Sequence, residues 1–427
     1  MSHTKLNKIV SVVMLLSVLL MPGVVLANQS LSPKTYERLN EIQELIQSEQ
    51  FTEALQVVSE LEADLTPGFG LALAYQMHAQ LMLAQEDSQQ ALLYFNKALE
   101  LEVLKPSQAV SLATNVAQLY LSSSQPAQAV AVLESRIVAA EKEKAGSTVS
   151  MAYITLGSAL QVQKQYADSI SWLQEGVKRS DKPKENWLQM LMAAHYQIKQ
   201  FAEAIAVLEQ LIVINADKEE YWLQQASLYQ LREKPAQALN TLEAAYIKGV
   251  LIKEDGLILM AQLLINQGIP ERAARILNDL LKNQQVELSE ENLRLMASAW
   301  LQGKERVQAI AGLIQAAEQS KKEIADLPDE ADRNKRQKGT AKLYYRAAQL
   351  AFEVSDFKTA VLQYQNARQE GLSANQHALS LLMQGNAYFE LENYQMAKVY
   401  FSKAQQEPRT TAAAKSWLDY MSQLEVI

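Results

Sequence analysis

Three residue types in this 427-residue chain could do chemistry at the right spacing: histidine, the paired carboxylates, and a set of side-chain amides and hydroxyls. Beyond the first few residues the histidines are His78, His195 and His377, each far from the others in sequence. A zinc site or a nucleophile–histidine pair needs such groups to converge within a few ångströms. No H-E-x-x-H, glycine-rich phosphate loop or calcium-loop spacing occurs, and the chain has no cysteine to supply a thiolate ligand, a nucleophile or a disulfide. Carboxylates are abundant, but no pair is singled out by its spacing. The expectation is no catalytic residue, no metal ligand and no cofactor site. What remains is hydrogen-bonding surface, and its residues are identified only once the elements carrying them are known.

Those elements follow from a period. QPAQAVAVL (125–133) returns as KPAQALNTL (234–242), and the same frame runs along the chain on a small residue: Ala54, Ala91, Ala129, Ser169, Ala204, Ala238, Ala273, Ala309, Ala360 and Ala397. Successive members lie 34 to 40 residues apart, except for 51 between Ala309 and Ala360. About twelve residues before each lies a second small or apolar position: Ala79, Ala117, Gly157, Met192, Ala226, Ala261, Ala297, Ala348 and Gly385. Two helices can approach closely only where side chains are small, so each period predicts an antiparallel helix pair, with Tyr120, Tyr229, Trp300 and Tyr388 filling the space to the next pair. Pro126, Pro235 and Pro270 fall where the second helix should start, a position that tolerates the missing N–H. Ser169, and Arg136 where alanine is usual, are expected to mark looser packing.

The order Leu-Gly…Tyr…Ala…Phe…Ala, best seen in 156–177, 227–245 and 383–404, resembles the tetratricopeptide repeat. The resemblance implies an all-α superhelix, an α-solenoid of about ten helix-turn-helix repeats. By position the organisation is a signal peptide at 1–27, repeats one to eight at 34–318, a charged insertion at 319–340, repeats nine and ten at 341–409, and a capping helix at 410–427 with Trp417, Leu418, Met421 and Leu424 on one face. The insertion has an acidic half (Asp326, Asp329, Glu330, Asp332) and a basic half (Arg333, Lys335, Arg336, Lys338). It reads as an elongated helix pair or a solvated loop, with a docking element as the sharper alternative. In such an array each unit touches only its neighbours, so the three histidines cannot share a ligand. The first helices line the surface that grips partners, and in the middle repeats the frame places Gln161, Gln189, Tyr196, Gln197, Ser227 and Gln230 there.

Lys5 and Lys8 precede an apolar run, Ile9 to Met21, that ends at Pro22-Gly23 and a small-residue site. This pattern predicts a secretory signal cleaved after Ala27 and a periplasmic protein without a lipid anchor. A retained membrane anchor is the alternative reading, although the run is short for a bilayer span. The net charge of −8 disfavours nucleic-acid and anionic-membrane partners.

The segments 182–212 and 218–264, with Trp187, Trp222, the Y-x-K-G-x-L-x-K-E run at 246–254 and Trp417, resemble more narrowly the periplasmic tetratricopeptide proteins encoded beside TonB, ExbB and ExbD in gammaproteobacteria. That resemblance implies a non-enzymatic scaffold, accessory to the energy-transduction complex that drives uptake of iron-siderophore complexes and haem, with periplasmic portions of TonB, ExbB or ExbD as partners. A scaffold for envelope assembly, in polysaccharide export or peptidoglycan remodelling, shares the same physical features and differs in its partner. The sequence does not fix the oligomeric state.

Overall fold

The computed structural model describes residues 31–142 and 149–424; the signal segment expected at 1–27 lies outside them. The chain forms two compact units, one ending at Ile214 and the other beginning at Asn215. Among the described residues every regular element is a helix.

In the first unit five hairpins follow one another: Pro33–Gln47 with Phe51–Asp64, Phe69–Ala84 with Ser88–Glu100, Pro106–Ser122 with Pro126–Lys142, Ser150–Val162 with Tyr166–Lys178, and Glu185–Gln197 with Phe201–Ile214. The second unit has five more: Glu219–Leu231 with Pro235–Ile247, Glu254–Asn266 with Pro270–Lys282, Glu290–Gln302 with Arg306–Ala325, Glu330–Glu353 with Phe357–Gln369, and Ala374–Glu390 with Tyr394–Gln405. Helix Thr411–Gln423 closes it.

The small residues do what the period requires. Ala54, Ala91, Ala129, Ser169, Ala204, Ala238, Ala273, Ala309, Ala360 and Ala397 all have no exposed surface. Apart from half-buried Met192, their partners on the first helices are as tight: a Cβ added at Gly157 would stand 2.6 Å from Leu173 Cγ, and one at Gly385 2.6 Å from Phe401 Cδ1. The looser packing expected at Ser169 and Arg136 is not found. Ser169 donates its hydroxyl to the Tyr166 carbonyl at 2.7 Å and so needs no extra room. Arg136 bends back to the Val132 carbonyl at 2.9 Å, and Leu133 and Ile137 beside it are fully buried.

Every hairpin turns the same way. The residue two before the second helix has a left-handed backbone in all ten: Glu49, Glu86, Ser124, Lys164, Lys199, Glu233, Gly268, Lys304, Ser355 and Glu392. The next N–H then reaches the carbonyl five residues back, as from Gln165 to Leu160 at 2.9 Å and from Asn393 to Tyr388 at 2.9 Å. This is the six-to-one bond of a Schellman motif, which satisfies a carbonyl the helix end would leave unpaired. In three of the five second helices that open on an aromatic ring, that ring packs against one on the first helix: Tyr196 with Phe201, Phe352 with Phe357, and Phe389 with Tyr394, at centroid distances of 5.9, 5.2 and 5.5 Å.

In the second unit carboxylates also tie consecutive hairpins together. Glu219, at the start of its first helix, accepts from the Ile252 and Lys253 N–H groups at 3.0 and 2.8 Å, just before the next first helix. Glu254 repeats this toward the Glu287 N–H at 3.1 Å and the Asn292 amide at 2.8 Å. Within a single hairpin, Glu323 likewise accepts from the Glu290 N–H at 2.9 Å. The bonds from the Lys253 and Glu290 N–H groups satisfy backbone donors that a helix start leaves free.

The charged insertion is an elongated helix pair. It lengthens Arg306–Ala325 to 20 residues and Glu330–Glu353 to 24, where most helices here have 13 or so. Ser320 and Thr340 hydrogen-bond across the pair at 2.8 Å, Arg336 pairs with Glu323, and Arg333 closes the turn on the Leu327 carbonyl at 2.7 Å. At the C-terminal end Trp417 stacks on Phe401 at 5.3 Å and Met421 is buried. Leu424, expected on the same face, lies past the last helical turn and is 45% exposed, because the helix stops at Gln423.

Candidate partner-binding surface and two titratable clusters

In the first unit, first helices of adjacent hairpins touch directly, as Pro106–Ser122 does Ser150–Val162 and Ser150–Val162 does Glu185–Gln197. Four of the expected surface residues sit there. Gln161 donates its amide to the Met190 carbonyl at 2.7 Å, so it is half-buried and pins one hairpin to the next. Gln189, beside that carbonyl, is also half-buried and engaged. Tyr196 and Gln197, at the helix end, are exposed. In the second unit Ser227 and Gln230 share an exposed face one turn apart, with the Ser227 hydroxyl donating back to the Leu223 carbonyl at 2.8 Å.

Groups free to meet a partner are therefore Tyr196 and Gln197 in one unit and Gln230 in the other. Two apolar neighbours escaped the sequence reading: Val162, 60% exposed, and Leu231, 56% exposed, each the last residue of a first helix. Their signal was visible, an apolar residue beside an amide where the helix ends, but a bare apolar pattern reads as core.

The histidines serve three separate structures. His195 Nδ1 meets the Gln200 side-chain oxygen at 2.7 Å across a hairpin turn and is buried. His377, half-buried, has Nε2 3.9 Å from Glu407. His78 is the centre of a cluster. Its Nδ1 lies 2.7 Å from Glu62 Oε1, and its ring stacks on Tyr94 at 3.5 Å with 17° between the planes. Lys97 Nζ stands 4.4 Å from the Tyr94 centroid and 5.6 Å from that of Tyr75. Burial, with Glu62 close by, raises the Tyr94 phenol above its usual value. Among the described residues no three His, Asp or Glu side chains are grouped as a metal would need.

The last two hairpins carry the same places with other residues. Glu62 to His78 is 16 residues, and so is Arg368 to Gln384; Tyr94 and Lys97 correspond in turn to Tyr400 and Lys403. Arg368 donates to Ser380 Oγ at 3.0 Å and to Gln384 Oε1, and its guanidinium carbon is 5.6 Å from the Tyr400 centroid. Lys403 Nζ is 5.0 Å from that same centroid, and Tyr388 stacks on Tyr400 at 5.3 Å. Burial pulls the Arg368 guanidinium below the ordinary arginine value and pushes the Tyr388 phenol up.

Ten like hairpins, small residues at each helix crossing and one invariant turn define an array of helix-turn-helix repeats, and the tetratricopeptide-repeat family model matches residues 378–409, most of the last hairpin and the turn after it. The fold is that of a tetratricopeptide-repeat array. No curated protein sequence matches it. Among solved structures it is similar to Naa15/Naa10 bound to HypK-THB, with 14% identity over 87% of this chain and 58% of that one and a TM-score of 0.47. It is similar to YrrB, described as a repeat protein of this type with an unusual peptide-binding site, with 18% identity over 44% of this chain and 90% of that one and a TM-score of 0.36. A third is a tetratricopeptide repeat protein from Parabacteroides merdae, with 14% identity over 62% of this chain and 94% of that one and a TM-score of 0.32.

Proposed function

We propose that the chain is a non-enzymatic periplasmic scaffold, an accessory of a TonB-dependent energy-transduction complex for iron-siderophore or haem uptake. On this reading it holds periplasmic portions of TonB, ExbB or ExbD on its first-helix faces. The observation that carries the binding role is the exposure of Tyr196 and Gln197, and separately of Gln230 with Leu231, on helices whose other faces are buried. Uncharged amides beside an aromatic or apolar side chain suit an extended backbone, since each amide both donates and accepts. The acidic net charge adds long-range attraction for a basic, proline-rich segment, an attraction that salt screens. The apolar leader supports export to the periplasm, and the resemblance at 182–264 and Trp417 supports the transduction partner.

Deleting the gene and measuring ferric-siderophore uptake through the matching TonB system tests the assignment. Reduced uptake, restored by the full chain but not by a chain with Tyr196→Ala and Gln197→Ala, is expected; undiminished uptake removes the transduction role. Crosslinking in intact cells then separates partners, and recovery of polysaccharide-export or peptidoglycan-remodelling proteins in place of the transducer would move the scaffold to envelope assembly.

A further inference from the structure

The two matching clusters differ in one respect that bears on binding. In the first unit the place at the end of the second helix holds a carboxylate, Glu62, which faces His78 and stands with Lys97 and Tyr94. In the last hairpins that place holds Arg368, and Lys403 is kept beside the same ring. Two cations therefore share Tyr400, and among the described residues neither forms an ion pair with a carboxylate. Arg368 has five N–H donors and engages neutral oxygens of Ser380 and Gln384, so its positive charge is desolvated without being balanced. It keeps part of its surface in solvent, as do Tyr388 and Tyr400, and Lys403 is exposed.

We propose that Arg368 and Lys403, set around the Tyr388–Tyr400 stack, form a receptor for the side-chain carboxylates of an acidic segment of a partner protein. In the first cluster a carboxylate, Glu62, occupies the place of Arg368 and meets His78 beside the equivalent tyrosine, so a carboxylate is sterically compatible with this corner of the hairpins. A guanidinium fork matches a carboxylate in plane, and a lysine adds a mobile second charge. The net acidity of the chain disfavours a long polyphosphate, whereas a short acidic segment meets only this local pair of cations. The inference is independent of the transduction reading, which rests on other helices and on a basic partner segment.

The test uses the purified full chain and an amidated hexaglutamate peptide, followed by calorimetry and by the fluorescence of Trp417, which stacks on Phe401 next to Tyr400. Wild type is expected to bind, R368Q to bind about tenfold more weakly and K403Q about threefold, as for loss of one member of a charge pair. The double variant R368E/Q384H, which installs the first cluster's own carboxylate and histidine, is expected to bind no peptide. Absence of binding by wild type overturns the proposal, as does undiminished binding by folded R368Q. Should R368Q fail to fold, the exposed Lys403 decides: K403Q binding like wild type overturns it. A thymidine hexanucleotide bound as tightly as the peptide also overturns it, by making the site a general polyanion patch. All of these are read on the isolated chain, so failure here leaves the uptake result in cells standing.

Discussion

Glu62, His78, Tyr94 and Lys97 in the first unit and Arg368, Gln384, Tyr400 and Lys403 in the second hold equivalent places in their hairpins, yet one set balances its charges and the other does not. The difference shows how a repeat array separates fold from chemistry. The backbone frame is set by small residues at the helix crossings and by the left-handed turn, neither of which belongs to the clusters. Positions between two hairpins can then exchange a carboxylate for a guanidinium while the stacking register is kept, because each hairpin answers only to its neighbours. Each change is paid for locally: Glu62 by His78, Arg368 by Ser380 and Gln384.

The sharpest way to break this equivalence is to transplant the cation. Glu62→Arg alone sets a guanidinium against His78 and Lys97 and removes the carboxylate that His78 Nδ1 meets at 2.7 Å. The expected cost is about 3 kcal/mol, the low end for a broken buried pair because Glu62 retains some exposure. Adding His78→Gln, which reproduces the Arg368–Gln384 pair, should recover a large part of that loss. Chemical denaturation of the single and double variants measures both. A double variant no better than the single one would mean the two sites are equivalent in spacing only.

Next in size is the crossing beneath the second cluster. Gly385 faces Phe401, and Gly157 in the first unit faces Leu173, each with a prospective Cβ at 2.6 Å. Gly385→Ala and Gly157→Ala should each destabilise by about 1–3 kcal/mol through overpacking. The aromatic ring at Phe401 is flanked by Trp417, while Leu173 has rotamers to try, so the Gly385 variant should lose more. Equal losses in thermal unfolding would show that the backbone, rather than the facing side chain, absorbs the change.

Most of the frame was legible in the sequence, and the reasons are specific. The second helix begins at the residue the period indicated in every repeat, from Phe51 to Tyr394, because a small residue at fixed spacing is a packing requirement that no other residue type meets. The insertion's helices escaped a firm reading because its charges face solvent and each other, leaving no apolar period to follow. The site was less legible. Gln161 and Tyr196 look alike as polar residues of first helices, and only the three-dimensional contact with Met190 separates a structural amide from a free surface. Arg368 was invisible as a receptor, since its meaning lies in the absence of a carboxylate that Glu62 supplies elsewhere.

Alkaline titration offers a smaller, pH-based contrast. Tyr153 in the first unit, buried and hydrogen-bonded to Glu141, has its phenol pushed from 10.0 up to about 12. Folding therefore favours the neutral phenol, and this contribution is complete below pH 10, the unfolded value, and fades as the pH rises toward about 12. Tyr153→Phe cannot ionise, so the first unit should lose stability less steeply across that window than the parent does. The readout is the denaturation midpoint at pH 9, 10 and 11; parallel curves for the two proteins would assign the alkaline loss to other groups.

The smallest effect concerns the turns, where the two units differ by a single glycine. All ten hairpins adopt a left-handed residue before the second helix, with φ between 56° and 78°, but only Gly268 in the second unit is free of a Cβ there. For the other nine the side chain is strained against the following carbonyl, at about 1 kcal/mol each. Glycine relieves that strain and loses some of the gain to the greater entropy of the unfolded chain. Lys199→Gly in the first unit should therefore stabilise by about 0.5 kcal/mol, and Gly268→Ala in the second should destabilise by about 1 kcal/mol. No heavy atom lies within 4 Å of a Cβ built at Gly268, so the alanine variant reports backbone strain alone, without a packing clash. If Gly268→Ala proves neutral, the Schellman bond from Ile269 to Leu264 at 2.9 Å is strong enough to hold the turn for any residue, and the nine non-glycine turns carry no hidden strain.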